Sequence, residues 1–149
     1  MKNYLTITLL MIMTGMVSSC SETKGVPVDF ANACAVGNDK KVIEVAGFLE
    51  PRQFMYCSNR GGRMECGFDL KDAPGSKNIV RVELEEGSSA NTAEKMDSGF
   101  KKEDVKIHDN TGSIIGPGDK VRVTGKISIV PPFGNAEGVC FMQVTKIEK

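Results

Sequence analysis

The chain of 149 residues contains no Trp and one His, only 6% of its residues are aromatic, and its formal net charge is zero. Lys and Arg number 19, and so do Asp and Glu. A balanced charge argues against a protein whose main partner is a nucleic-acid backbone, since phosphate binding needs an excess of cations. A single imidazole likewise disfavours metal sites and catalytic triads built on His.

Motifs that carry catalysis are also missing from the sequence. There is no G-x-x-x-x-G-K-[ST] loop for nucleotide phosphates and no pattern that pairs a nucleophile with a base. His108 precedes a turn and has no second His nearby, so we interpret it as a lone surface residue. Glu85 and Glu86 are interpreted as the solvated end of a strand. We therefore predict no enzymatic activity, no metal and no cofactor.

The N-terminal segment contains the one long apolar run of the chain. Lys2 precedes an uncharged and mostly apolar stretch from Leu5 to Val17. A transmembrane helix needs about 20 such residues to cross a hydrocarbon layer of roughly 30 Å, so this run is too short to span. It has the length of the apolar region of an export signal.

Small residues and a cysteine follow that run in the order Val17-Ser18-Ser19-Cys20. This stretch resembles the lipobox of bacterial lipoproteins. The resemblance implies that the Cys20 thiol receives a diacylglycerol, that the chain is cut just before Cys20, and that the new amine is acylated, with palmitate among the expected acyl groups. The alternative is a simple secretory signal that is cut near Ser19. Two or three acyl chains would hold the protein durably on a bilayer.

These features divide the chain into three predicted parts: a lipoprotein signal peptide at 1–19, a polar tether at 20–28 and one domain at 29–149. The residue after the lipidated cysteine is Ser21 rather than Asp. By the same resemblance this favours the outer membrane, with the domain facing the periplasm or the cell surface. We expect the protein to reside in the cell envelope and to contact the membrane through its lipid anchor.

The four remaining cysteines are expected to form disulfides, because an even number outside the cytoplasm is typical of oxidised pairs. A turn centred on Gly61-Gly62 would place Cys57 directly opposite Cys66 in a hairpin, within reach of a bond. The remaining pair is then Cys34 with Cys140. A zinc or redox site is the alternative, but the C-x₂₋₄-C spacing it would use is absent.

Alternation of apolar and polar residues predicts strands over most of the domain. The clearest segments are 42–50, the hairpin around residues 61–62, 79–86, 119–130 and 139–147. Gly47 inside the first strand suggests a bend, and an imperfect alternation in the last strand suggests a bulge. Helical spacing of Ala93, Met96 and Phe100 predicts one short helix before the long strand, and a second short helix fits 28–36.

The stretch from Pro117 to Lys126, P-G-D-K-V-R-V-T-G-K, resembles the Gly-Asp turn and Val-rich strand of many oligonucleotide/oligosaccharide-binding (OB) domains. The segment Val45 to Phe48 is similar to the first strand of that fold. The resemblance implies an all-β, five- to six-stranded OB-like barrel with one short helix. A small β-sandwich is the alternative.

The hairpin region also carries the most suggestive set of side chains. OB domains bind ligands around their second and third strands, and there aromatic residues can stack while Arg binds anions or polar groups. We therefore expect a ligand-binding set there, against the alternative that the aromatic residues belong to the core and the arginines are merely solvated; its members are Arg52, Phe54, Tyr56, Arg60 and Arg63.

The function that these observations predict is a membrane-anchored, non-enzymatic binding module of the bacterial cell envelope. Its partner would be a protein, a glycan or a small ligand. The alternative is an OB-fold nucleic-acid-binding protein, which the envelope location and the balanced charge disfavour. A basic stripe beside exposed aromatic residues would favour nucleic acid, whereas a neutral pocket or an apolar patch would favour a protein or a glycan.

Overall fold

The computed structural model describes residues 24–97, 99–116, 118–134 and 138–149. The predicted signal peptide, Cys20 and the start of the predicted tether lie outside the described residues. Within the described ranges, no helix is long and apolar enough to cross a membrane. The strands are β1 (Val26–Pro27), β2 (Val42–Pro51), β3 (Cys57–Arg60), β4 (Arg63–Lys71), β5 (Ile79–Glu86), β6 (Thr92–Ala93), β7 (Ile107–His108), β8 (Ile114–Ile115), β9 (Lys120–Val130) and β10 (Val139–Glu148).

Five long strands close into a barrel. Around it, β2 pairs with β4, β4 with β5, β5 with β10, β10 with β9, and β9 with β2. Only the pairing of β5 with β10 is parallel within this ring. The all-β prediction is confirmed, and the ring is consistent with a small OB-like barrel.

Alternating side chains fill the barrel because successive residues of a strand point to opposite faces. On β5, Val80, Val82 and Leu84 are buried, as the alternation predicted. On β4, Phe68 and Leu70 are fully buried and pack into the same core. The polar residues between them therefore lie on the outer face of the sheet.

The last strand contains the predicted irregularity. The pairing of β10 with β9 shifts register between Val144 and Lys146, which leaves Thr145 as an extra residue. The Thr145 hydroxyl donates a hydrogen bond to the Thr124 carbonyl at 3.2 Å. The bulge changes which alternate residues of β10 face the core, so that Met142 before it and Ile147 after it are both buried.

The predicted helices are wrong. Residues 92–93 form β6, which pairs with β5 and β7, and no α-helix is present among the described residues. Ala93 is buried in this sheet, and Met96 and Phe100 pack as irregular chain, so tertiary pairing prevails over the helical spacing. In the segment 28–36 only Phe30–Asn32 forms a 3₁₀ turn; two more turns cover Val36–Asn38 and Lys102–Asp104.

The prediction that His108 lies on the surface is also wrong. His108 is only 7% exposed, because β6, β7 and β8 fold together around it. Its Nδ1 atom lies 3.0 Å from the Gly112 carbonyl and its Nε2 atom 3.1 Å from Oε1 of Glu94. Both ring nitrogens thus face oxygen acceptors, and the residue has a structural role.

Two disulfides connect the chain as predicted. Cys57 lies directly opposite Cys66 in the β3–β4 hairpin and is bonded to it. Cys34 is bonded to Cys140 across a sequence separation of 106 residues. The end of the predicted tether is also held to the barrel, since Val26–Pro27 pairs with β2.

Candidate ligand-binding face of β4, β5 and β10

The hairpin that carries the predicted site residues owes its shape to two glycines. Gly61 and Gly62 have φ values of 62° and 90°, a region that glycine adopts without strain. The Gly62 N–H donates to Oδ1 of Asn59 at 3.0 Å, which closes the turn. This turn brings Arg60 opposite Arg63 and directs Arg60 across the outer face of the sheet.

A cavity of about 200 Å³ lies on that outer face. Residues from the hairpin form one side, and residues from β5 and β10 form the other. Its functional lining comprises Arg52, Tyr56, Arg60, Glu65, Arg81, Glu83 and Phe141.

One end of the cavity is acidic. Arg60 donates from Nη2 to Oε1 of Glu83 at 2.9 Å, and its Nε atom lies 3.7 Å from Oε2 of Glu65. Gln143 donates to the other Glu65 oxygen at 3.0 Å. The Oε2 atoms of both glutamates are buried and accept no hydrogen bond within the described part of the chain. Burial raises the pKa of Glu83 above its usual range, and the neighbouring Glu65 adds to this effect.

The other end of the cavity is basic. The Nε atom of Arg52 lies 3.6 Å from Oδ1 of Asp69. Arg81 stands directly opposite Asp69 on the neighbouring strand, yet its guanidinium has no ion pair or hydrogen bond among the described residues. Arg52 lies over Gly67, where a Cβ would be 3.4 Å from Nη1 of Arg52. At this end, only Arg52 is paired with the Asp69 carboxylate, and the exposed Arg81 guanidinium is left without an ion pair among the described residues.

Aromatic rings stand beside both charged ends. Tyr56 is 71% exposed, and its backbone carbonyl accepts a 3.0 Å hydrogen bond from the Gly67 N–H, which fixes its position against β4. Phe141 lies beside Arg81 in the parallel pairing, and its ring is covered by the Arg60 guanidinium at 5.8 Å. Tyr56 thus offers the uncovered ring of the site.

The structure separates the five predicted ligand-binding residues. Arg52, Tyr56 and Arg60 line the cavity together. Phe54 faces a different surface depression beside Met96 and Phe100, and Arg63 lies at the hairpin tip, 3.5 Å from Glu85. Phe54 and Tyr56 are 81% and 71% exposed, so the alternative that places them in the core is wrong. A binding role for the five residues stays a prediction.

Sequence reasoning missed the partners of these residues on the other strands. Arg81 and Glu83 lie on the outer face of β5, but nothing local in the sequence links them to Glu65 or Phe141. Only the pairings of β5 with β4 and with β10 bring these side chains together.

A second cavity, of about 350 Å³, lies between β2 and the segment that follows Phe100. Its walls include Leu49, Val105 and Ile115, and its charged lining residues are Glu50, Lys102 and Glu103, of which Glu50 is paired with Lys71 at 2.8 Å. These two charges satisfy each other, and the Lys71 ammonium lowers the pKa of Glu50. Among the described residues no group of His, Cys, Asp and Glu side chains could hold a metal ion.

No protein-family model matches this chain, and no curated protein shows significant sequence similarity to it.

Proposed function

We propose that this protein is a lipid-anchored, non-enzymatic binding module of the bacterial cell envelope, and that it binds a glycan or another small polar ligand in the cavity on β4, β5 and β10. The observation that carries the proposal is the set of unsatisfied groups around one small cavity. The buried Oε2 atoms of Glu65 and Glu83 accept no hydrogen bond, and the exposed guanidinium of Arg81 has no ion pair or hydrogen bond, among the described residues. Buried polar atoms are usually hydrogen-bonded, and a guanidinium without a protein partner can donate to a carboxylate or another polar group of a ligand.

The balance of charge in this region supports a neutral or dipolar ligand over a nucleic acid. Three arginines, Arg52, Arg60 and Arg81, lie near three carboxylates, those of Glu65, Asp69 and Glu83. A nucleic-acid groove instead needs an excess of cations along the backbone path. The cavity is also smaller than the roughly 300–1,000 Å³ of pockets for drug-sized ligands, which suits a single sugar ring.

A protein partner is a second candidate, and the exposed Phe54 favours it. Phe54 lies in a surface depression with Met55, Met96 and Phe100, outside the cavity. Exposed apolar patches of this kind often mark contact sites. The two candidates use different surfaces and can therefore be separated by mutation.

The envelope location rests on the lipobox resemblance and is tested at Cys20. Cells that express the full-length protein are given a labelled fatty acid, and the protein is then fractionated and examined for label. We expect wild-type protein to carry label in the membrane fraction and the Cys20→Ser variant to lose it. Label that persists on the variant would contradict the anchor.

The binding site is tested with two aromatic residues that are close in sequence and both exposed. Immobilised full-length protein in detergent is incubated with solubilised envelope glycan fragments. We expect Tyr56→Ala to lose most of the captured material and Phe54→Ala to retain it, because only Tyr56 lines the cavity. Loss with Phe54→Ala alone would place glycan binding in the Phe54 depression instead, and equal capture by both variants would exclude the cavity.

A further inference from the structure

The cavity has two ends of opposite charge. At one end, Glu65 and Glu83 share the single cation Arg60, which leaves a formal charge of −1. At the other end, Arg52 is paired with Asp69, and Arg81 on the neighbouring strand has no ion pair among the described residues, which leaves a formal charge of +1. Arg81 and Glu83 are two residues apart on β5, so their Cα atoms are separated by about 6–7 Å.

We infer that the ligand is a small zwitterionic amino sugar, with its carboxylate at Arg81 and its ammonium at Glu83 and Glu65. This inference rests on the proposed function and narrows its ligand class. A guanidinium without a partner offers two parallel N–H donors to a carboxylate. Oε1 of Glu83 accepts one hydrogen bond from Arg60 and retains further lone pairs for an ammonium group.

Two further observations agree with this orientation. The Oε2 atoms of Glu65 and Glu83 are buried without a hydrogen bond among the described residues, and burial together with the nearby Glu65 charge raises the pKa of Glu83 although Arg60 opposes the shift. An added cation at this end would offset the remaining negative charge. The exposed Tyr56 ring provides a surface on which the apolar face of a sugar ring can lie.

The test uses four sugars that share the glucosamine ring and differ in whether the amine is free or acetylated and in whether a carboxylated lactyl group is present. Glucosamine carries an ammonium, N-acetylmuramic acid a carboxylate, muramic acid both, and N-acetylglucosamine neither. Each is titrated into the full-length wild-type protein in detergent micelles by calorimetry at neutral pH. We expect muramic acid to bind most tightly and N-acetylglucosamine most weakly, with about a tenfold gain for each charged group.

Two variants assign the charges to the two ends. Arg81→Gln should weaken both carboxylated sugars about tenfold and leave glucosamine unchanged. Glu83→Gln should weaken both ammonium sugars and leave N-acetylmuramic acid unchanged. Arg122→Gln is the matched control, because this exposed arginine lies on β9 outside the cavity, 3.7 Å from Glu148, and it should change none of the four affinities.

A further measurement keeps the test informative if a variant folds poorly. Amide chemical shifts of the labelled wild-type protein should respond to muramic acid at residues of β4, β5 and β10. Shifts that cluster elsewhere, equal affinity for all four sugars, or binding of glycylglycine in place of the sugars would each overturn the inference. If envelope fragments are captured through Tyr56 but none of the four sugars binds, the amino-sugar assignment falls while the proposed function stands.

Discussion

The guanidinium carbon of Arg60 lies 5.8 Å from the centre of the Phe141 ring, although the two residues come from opposite halves of the chain. The same guanidinium donates to Glu83 at 2.9 Å and approaches Glu65 at 3.7 Å. A cation over an aromatic face is attracted by the ring's electrons, and this attraction grows where water is excluded. Arg60 therefore connects the hairpin, β5 and β10 through one side chain.

Replacing Arg60 with Met removes the cation that pairs with Glu83 and tests how much this pair contributes to stability. We expect the free energy of unfolding at pH 7 to fall by about 1 kcal/mol, a value kept small because Arg60 is half exposed. The double variant Arg60→Met/Glu83→Gln should recover most of the lost free energy of unfolding, because it removes one of the two carboxylates that Arg60→Met leaves without a counter-charge. A double-mutant cycle in urea measures the coupling, and strict additivity would show that the pair does not interact.

The turn after β7 should make the free energy of unfolding depend on pH in the acidic range. Oδ1 of Asp109 accepts hydrogen bonds from the Thr111 N–H, the Thr111 hydroxyl and the Ser113 N–H at 2.8, 2.7 and 2.9 Å. These bonds hold the pKa of Asp109 below its usual range.

Because this pKa is lowered on folding, the stabilisation from Asp109 is complete above the unfolded pKa of about 3.9 and is lost as the pH falls through the folded value. The Asp109→Asn variant should therefore be less stable than wild type at pH 7, and its free energy of unfolding should fall less steeply below about pH 4. Urea unfolding between pH 7 and pH 2 measures this. Asp29→Asn is the control, because the Asp29 side chain makes no capping bond, and an identical profile for both variants would contradict the assignment.

The two disulfides should differ in their effect on stability. Cys34–Cys140 closes a far longer loop than Cys57–Cys66, with separations of 106 and 9 residues. The chain-entropy relation gives roughly 4.8 kcal/mol for the long loop and roughly 2.7 kcal/mol for the short one. We expect the double Ser variant of the long bridge to show the larger drop in Tm by calorimetry; the reverse order would mean that native-state effects outweigh loop closure.

The neighbouring strands β9 and β10 lie so close together at residue 125 that a side chain there should not fit. A Cβ on Gly125 would overlap the Gln143 carbonyl oxygen and would lie 2.6 Å from Cγ of Met142. We expect Gly125→Ala to destabilise the protein by roughly 1–3 kcal/mol, because the two strands must separate. Gly37→Ala has no atom within 4 Å of the new Cβ and should remain near wild type in thermal unfolding.

What could be predicted from the sequence depended on how local the interactions are. The β3–β4 hairpin and its Cys57–Cys66 bond follow from a turn and an alternation within about a dozen residues, and both are confirmed. The helix predicted from Ala93 and Met96 is absent. Short strands and irregular chain cover their apolar side chains, so these residues do not lie along one face of a helix.

The candidate ligand-binding face was only partly predictable from the sequence for the same reason. Arg52, Tyr56 and Arg60 lie in one segment, so their clustering could be recognised. Arg81 and Phe141 meet only through the parallel pairing of β5 with β10, which no periodicity specifies. The absence of an ion pair for Arg81 among the described residues is likewise a property of the assembled sheet.

The Cys34–Cys140 bond also sets an order of events in biogenesis. A chain that emerges from its N-terminus presents Cys34 early, together with Cys57 and Cys66, long before Cys140 arrives. During that interval three thiols are available and only one of the three pairings among them is native. Cys57 and Cys66 emerge nearly together and can form the hairpin disulfide first. Cys34 is then left to pair with Cys140 of the last strand.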